Sequence, residues 1–375
     1  MAPLLRLPLQ HHSILPHTRF PTIFPNLNFK RSILSHPRSL TIRCNHTPSR
    51  KTVRISDPSP IYTSVNSFAP ASIANLGPGF DLLGCAIDGI GDTVTIRIDP
   101  AVLPGSISIS SISGYDSDKL SFDPLSNCAG IAATATMRML DIRSVGLSLS
   151  LNKGVPLGIG LGSSAASAAA AVVAVNELFN APLLKKDLVF VGYESELKVS
   201  GVPADHIAAA IMGGFAFIIN YDPLYVFNPP FPAAAKLYFV LAIPEFESPT
   251  KRMRAQLYKE FRCDGAKMYY QPLSGLVTAV DQGDVPLLGD WLSSKWYVES
   301  SMIPGVVGVQ SAALEAGAFG FTISGAGPTV VAVTDDEDKG KEIGARMVDA
   351  FWEKGKLKAS ATVHRVDQVG ARIIF

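Results

Sequence analysis

The chain has 375 residues, of which 47% are apolar and 17% charged, enough apolar material to fill the cores of two ordinary domains. Its four cysteines (Cys44, Cys85, Cys128 and Cys263) form no CxxC pair, which argues against a disulfide framework or a zinc site. The net charge of +1 hides a division: residues 1–56 hold nine of the 33 basic residues and no acid, leaving 24 basic against 32 acidic side chains beyond them, a balance of −8 that speaks against nucleic acid as a partner.

Those first 56 residues also carry six serines, several prolines and five of the seven histidines. An acid-free stretch bearing Arg and Ser has the composition of an organelle transit peptide. Its Ser/Pro content and weak amphipathic periodicity point to a plastid; the plain alternative is a basic tail. No apolar run approaches the roughly 18 unbroken residues that a membrane span needs.

Beyond the leader, SVNSFAPAS (64–72) and DTVTIRI (92–98) alternate as strands, with the Gly/Pro loop ANLGPGFDLLG between them. CAGIAATATMRML (128–140) has helical spacing, and VGLSLSL (145–151) alternates as a strand. The glycine-rich stretch PLGIGLG follows, opening into a helix predicted over 163–179. A helix over about 186–199 leads through SGVPADHIAAAIMGG to the strand FAFIIN. DPLYVFNPPFP reads as a connection, and KLYFVLAIP begins a second strand-rich unit. That unit holds predicted helices around 251–260, 271–282 and 304–317, then FGFTISGAGPTVVAV, a helix at about 338–353 and a last pair of strands. Short links between alternating elements predict a mixed chain: a leader (1–56), one domain over 57–220 and a second over 221–375.

The glycines before the 163–179 helix expose bare main chain and tolerate positive φ. Ser163 and Ser164 then stand in the helix's first turn, whose unsatisfied N–H groups and positive dipole end favour a phosphate. No Lys follows the glycines as in a Walker loop, and Gly158-Ile159-Gly160 lacks the third glycine of a dinucleotide fingerprint. NLGPGFD and SGAGP are two further bare-backbone segments, so convergence of all three on one polyanionic ligand is the expectation.

PLGIGLGSSAAS resembles the nucleotide loop of the GHMP kinases, the family of galactokinase, homoserine kinase, mevalonate kinase and phosphomevalonate kinase. FAPASIANLGPGFDLLGCAIDG and GFTISGAGPTVVAV are similar to its first and third motifs, in the family's order, and the first is most similar to the homoserine kinase branch, particularly its plastid plant members. The resemblance implies an α+β, two-domain GHMP kinase fold, with an N-terminal nucleotide-binding domain and a C-terminal ferredoxin-like domain. It implies transfer of a phosphoryl group from ATP to the hydroxyl of L-homoserine, in the plastid stroma, by a homodimer with no membrane partner.

By the same resemblance Pro156, Gly158, Gly160, Leu161, Gly162, Ser163, Ser164 and Ala165 wrap the ATP phosphates. Ser164 and Glu196 hold Mg²⁺, which typically takes one or two carboxylates plus phosphate oxygens. Asn127 either meets adenine or caps its helix. Asn75 and Asp81 match positions holding the substrate's polar end, Asp81 facing an ammonium group or serving only as a turn former. His206, Ser324, Gly325 and Gly327 close the acceptor side, while Thr250 and Arg254 match the positions for the substrate carboxylate, with Arg252 an alternative. Asp205 sits where several family members carry a carboxylate able to accept the alcohol proton, whereas the homoserine kinase branch manages without a strong base there.

The substrate half departs from the homoserine kinase pattern. HADN reads PADH, placing Pro203 and His206 where the branch has His and Asn, and no arginine lies between Lys295 and Gly305 where the branch has EPxR. A kinase of another small hydroxylated metabolite, or a non-catalytic paralogue, is therefore the alternative.

Overall fold

The computed structural model describes residues 57–374, apart from 200, 202, 247–252, 254–265 and 294–301. The leader 1–56, the predicted helix at 251–260, Thr250, Arg252 and Arg254 lie outside the described residues.

Two long strands, β1 (Ser64–Ala74) and β2 (Leu83–Ile98), run antiparallel from Val65 opposite Ile96 to Ala74 opposite Gly84. A bulge between Pro70 and Ser72 bends the end that carries the first glycine motif. β3 (Ile107–Gly114) lies parallel to β4 (Leu147–Lys153), and β4 pairs with β2. β5 (Phe215–Tyr221) joins the other end of β2.

The stretch read as a connection contains β6 (Leu224–Phe227), which forms a hairpin with β5, Tyr221 opposite Leu224 and Phe217 opposite Phe227. Its alternation is short but regular: Leu224 and Val226 turn to the core while Tyr225 and Phe227 face out. Prolines on both sides hid it.

Three helices pack on this sheet, α1 (Cys128–Met139), α2 (Ser163–Leu178) and α4 (Asp205–Met212), and α3 (Lys185–Val199) packs on those helices. α2 is buried almost all round, which its run of alanines permits by letting backbones approach closely. Ala168, Ala171, Val172 and Val175 meet Val94, Leu149 and Ala133 in one core.

A second, antiparallel sheet has β7 (Tyr238–Pro244) between β9 (Val330–Thr334) and β10 (Ala359–Arg365), with β8 (Gly320–Ile323) outside β9. Period 2 sends Phe239, Leu241, Val331 and Val333 to one face and Val240, Ala242, Val330 and Ala332 to the other. The first face packs on Leu76, Phe215, α5 (Ala266–Gln282) and α6 (Val285–Leu292). The second is covered by α7 (Val306–Glu315) and α8 (Glu337–Ala350). The last two strands lie in different sheets: β10 pairs with β7, whereas β11 (Arg372–Ile373) returns to β1. The fold is α+β, and no described helix is long and apolar enough to cross a membrane.

Candidate active site

The loop from β4 to α2 is shaped by its glycines. Gly160 and Gly162 have φ of 81° and 66°, the left-handed region, and a Cβ on either would lie 2.4 Å from Ser324 O or Ser72 Oγ respectively. Around Gly158 there is no atom within 4 Å of a Cβ position, so the loop is open on that side. Ser163 spends its hydroxyl internally, on Val155 O at 2.7 Å. Gly162, the N-cap of α2, gives no side-chain cap, which leaves the helix's first N–H groups to a ligand. Leu161 and Ala165 are buried beneath, and Pro156 is half-buried at the loop's start.

The three glycine segments meet. Ser72 N donates to Leu161 O at 3.1 Å and Thr329 N to Ile159 O at 3.3 Å. Ser324 Oγ donates to Gly160 O at 2.6 Å. Gly325 N reaches Ala74 O at 2.8 Å, and Asn75 Nδ2 reaches Gly325 O at 2.8 Å. Asn75 is buried and its Oδ1 accepts from Asp81 N at 2.7 Å, so its amide braces the first motif against the third. Gly327, also at positive φ, closes the third motif over Ile303. His206 sits at the junction: its Nδ1 shares a 2.9 Å hydrogen bond with Ser72 Oγ, and its ring lies beside Gly162 and Gly325.

Behind the loop, Glu196 of α3 is fully buried. Its Oε2 accepts the Ser164 hydroxyl at 3.0 Å, and its Oε1 has no partner among the described residues. Burial raises the Glu196 carboxyl to about 7; the Asp205 charge adds to the rise, while the Ser164 bond and Lys153 oppose it. Asp205, buried in the first turn of α4, accepts from its neighbour His206 N at 2.9 Å. Asn127 is the N-cap of α1, accepting from Ala129 N at 3.0 Å and donating to Ser121 O at 3.0 Å.

Residues 127–214 match the GHMP kinases N terminal domain and residues 276–354 the GHMP kinases C terminal domain. The chain is 57% identical over 329 residues to a homoserine kinase of Arabidopsis thaliana, spanning 87% of this chain and 89% of that protein. The chain belongs to the GHMP kinase family. A homoserine kinase of Chloroherpeton thalassium is 35% identical over 83% of this chain and 99% of its own. Among solved structures, homoserine kinase from Cytophaga hutchinsonii superposes with a TM-score of 0.77 at 35% identity, over 84% of this chain and 98% of that one. Leishmania (L. major) mevalonate kinase, at 15% identity and a TM-score of 0.63 over 83% and 98%, shares the fold.

For a GHMP kinase the Ser164–Glu196 pair is chemically apt. A hydroxyl and a carboxylate are hard oxygen donors, and a buried carboxylate oxygen lacking a partner is stabilised by a cation. Mg²⁺ typically takes one or two carboxylates plus phosphate oxygens, a donor set that Ser164 and Glu196 would suit.

Sequence reading missed Asp92 and Lys153, both buried. Lys153 Nζ pairs with Asp92 Oδ2 and donates to Ser163 O at 2.8 Å and Ser167 Oγ at 2.9 Å. Asp92 Oδ1 accepts from Gly154 N at 3.0 Å and Val155 N at 3.1 Å. The pair thus grips both ends of the phosphate loop. A signal existed: Lys153 falls in phase with Leu147, Leu149 and Leu151 on the buried face of β4.

Proposed function

We propose that this GHMP kinase transfers the γ-phosphoryl group of ATP to the hydroxyl of L-homoserine, giving O-phospho-L-homoserine and ADP. The observation that carries the reading is the half-buried Ser164 hydroxyl held on the buried Glu196 carboxylate, beside the uncapped N-terminus of α2. Main-chain N–H groups of residues 160–165 hold the phosphates, and Ser164 and Glu196 hold Mg²⁺. When bound, Mg²⁺ neutralises charge on the phosphate oxygens. The homoserine oxygen attacks the γ-phosphorus as the bond to the β-phosphate oxygen breaks, and the hydroxyl proton passes to Asp205. Asp81 takes the substrate ammonium, and Thr250 with Arg254 takes its carboxylate. Asn127 caps α1 at the nucleotide side, and the 324–327 segment closes the site.

Residues 1–56 would deliver the protein to plastids, and it would assemble as a homodimer. An ADP-release assay over a panel of amino alcohols tests the reading: homoserine leads the panel if it holds, and any other acceptor leading by tenfold or more overturns it.

One observation favours a second reading. His206 is drawn to Ser72 and wedged between Gly162 and Gly325, where the homoserine kinase branch has Asn. With the EPxR arginine also missing, an acceptor without an α-carboxylate would fit such a site, and it would need Arg254 little.

A further inference from the structure

Asp81 lies in the left-handed region with φ of 62°, a conformation that an L side chain adopts only when its surroundings hold it there. Both of its main-chain polar groups are held by side chains, one from its own loop and one from β5. Its N–H goes to Asn75 Oδ1 at 2.7 Å, within the first motif. Its carbonyl accepts the hydroxyl of Tyr221, the last residue of β5, at 2.5 Å. The same hydroxyl accepts from Ala204 N at 3.4 Å, the residue preceding Asp205 at the start of α4. The Tyr221 ring packs 6.0 Å from Tyr193, which lies one helical turn before Glu196 on α3. One phenol therefore joins the first motif to the helix start that carries Asp205.

We infer that Tyr221 is a positioning residue for the acceptor: by clamping the Asp81 main chain it fixes the direction in which the Asp81 carboxylate leaves the loop, and so sets preference for amine-bearing alcohols. This rests on the assignment of Asp81 to the substrate ammonium made above. The phenol is the donor, because the Asp81 carbonyl oxygen can only accept. A main chain held at both its N–H and its carbonyl fixes the direction of the Cα–Cβ bond from which the carboxylate extends, which is how a surrounding shell confers selectivity on a charged contact.

Tyr221→Phe removes one oxygen and keeps the ring. In the full chain, the KM for L-homoserine rises about three- to tenfold, the loss expected of one hydrogen bond, while kcat and the KM for ATP stay within about twofold. The inhibition constant of 4-hydroxybutanoate, the same acceptor without its amine, does not move. In an Asp81→Asn background Tyr221→Phe adds nothing further, because the two residues act on one contact. Tyr225→Phe, an exposed phenol on the neighbouring β6, serves as a control and leaves every constant unchanged. An unchanged homoserine KM, an equal shift for both acceptors, or additivity with Asp81→Asn overturns the inference and leaves the kinase reading standing. A natural enzyme inert toward homoserine overturns that reading, and this inference with it.

Discussion

Ser164 gives its hydroxyl to one oxygen of the Glu196 carboxylate at 3.0 Å, and the other oxygen is buried with no partner among the described residues. A fold gains nothing from that arrangement. The proposed Mg²⁺ site accounts for it, since a cation there would stabilise that oxygen.

Glu196→Gln therefore separates function from stability. The Glu196 carboxyl ionises at about 7 in the fold against an ordinary 4.5, so at about pH 8 it is charged in both states and the fold bears the full burial penalty. The Gln variant unfolds with about 1–3 kcal/mol more stability at that pH, and the difference vanishes below about pH 4.5, where Glu196 is neutral whether folded or not. Its Mg²⁺-dependent turnover falls by two orders of magnitude or more. Chemical denaturation at the two pH values, with an activity assay beside it, checks both halves.

The phosphate loop tolerates little. Gly162→Val puts a branched Cβ against Ser72 Oγ and His206 at a φ of 66°, costing about 1–3 kcal/mol of stability and several orders of magnitude in turnover. Ser164→Ala keeps the fold and lowers kcat about 10- to 100-fold. An Ala variant with unchanged kcat at saturating Mg²⁺ removes that hydroxyl from the metal.

Breaking the Asp92–Lys153 pair on one side leaves a buried charge alone. Lys153→Met costs about 3–5 kcal/mol and raises the KM for ATP more than that for the acceptor, since the pair holds Ser163 O and the N–H groups of Gly154 and Val155. Lys153→Met with Asp92→Leu recovers only part of the stability, because no charge is left buried but the N–H groups of Gly154 and Val155 and the Ser167 hydroxyl lose their acceptor. Urea titrations of the two variants decide it.

This pair also shows where sequence reading stops. The glycine segments, α2 and the residues around them were legible because local rules govern them: positive φ asks for Gly, and an uncapped helix start favours an anion. That Asp92 meets Lys153 depends on register, Thr93 opposite Asn152 between β2 and β4, and no local pattern states it. Asn75 illustrates the same limit. Its motif was plain, whereas its use as a brace between Asp81 and Gly325, 250 residues apart in the chain from Asn75, needed the fold.

The leader is a separate matter. Deleting residues 1–56 leaves kcat and KM unchanged, and fusing them to a fluorescent reporter brings the reporter to plastids. A cytosolic reporter, or activity lost with the leader, contradicts the targeting assignment.

The central claim concerns the acceptor, and the phosphorylated product tests it most directly. Full-length protein is incubated with ATP, Mg²⁺ and L-homoserine, and the mixture is followed by phosphorus NMR. The account predicts a phosphate monoester on the homoserine oxygen accumulating one for one with ADP, forming about a thousandfold or more slowly with the Ser164→Ala/Glu196→Gln double variant and stopping after chelation of the metal. ADP formed without that ester, or an ester that appears only after Pro203→His, His206→Asn and an arginine inserted before Met302, would contradict it.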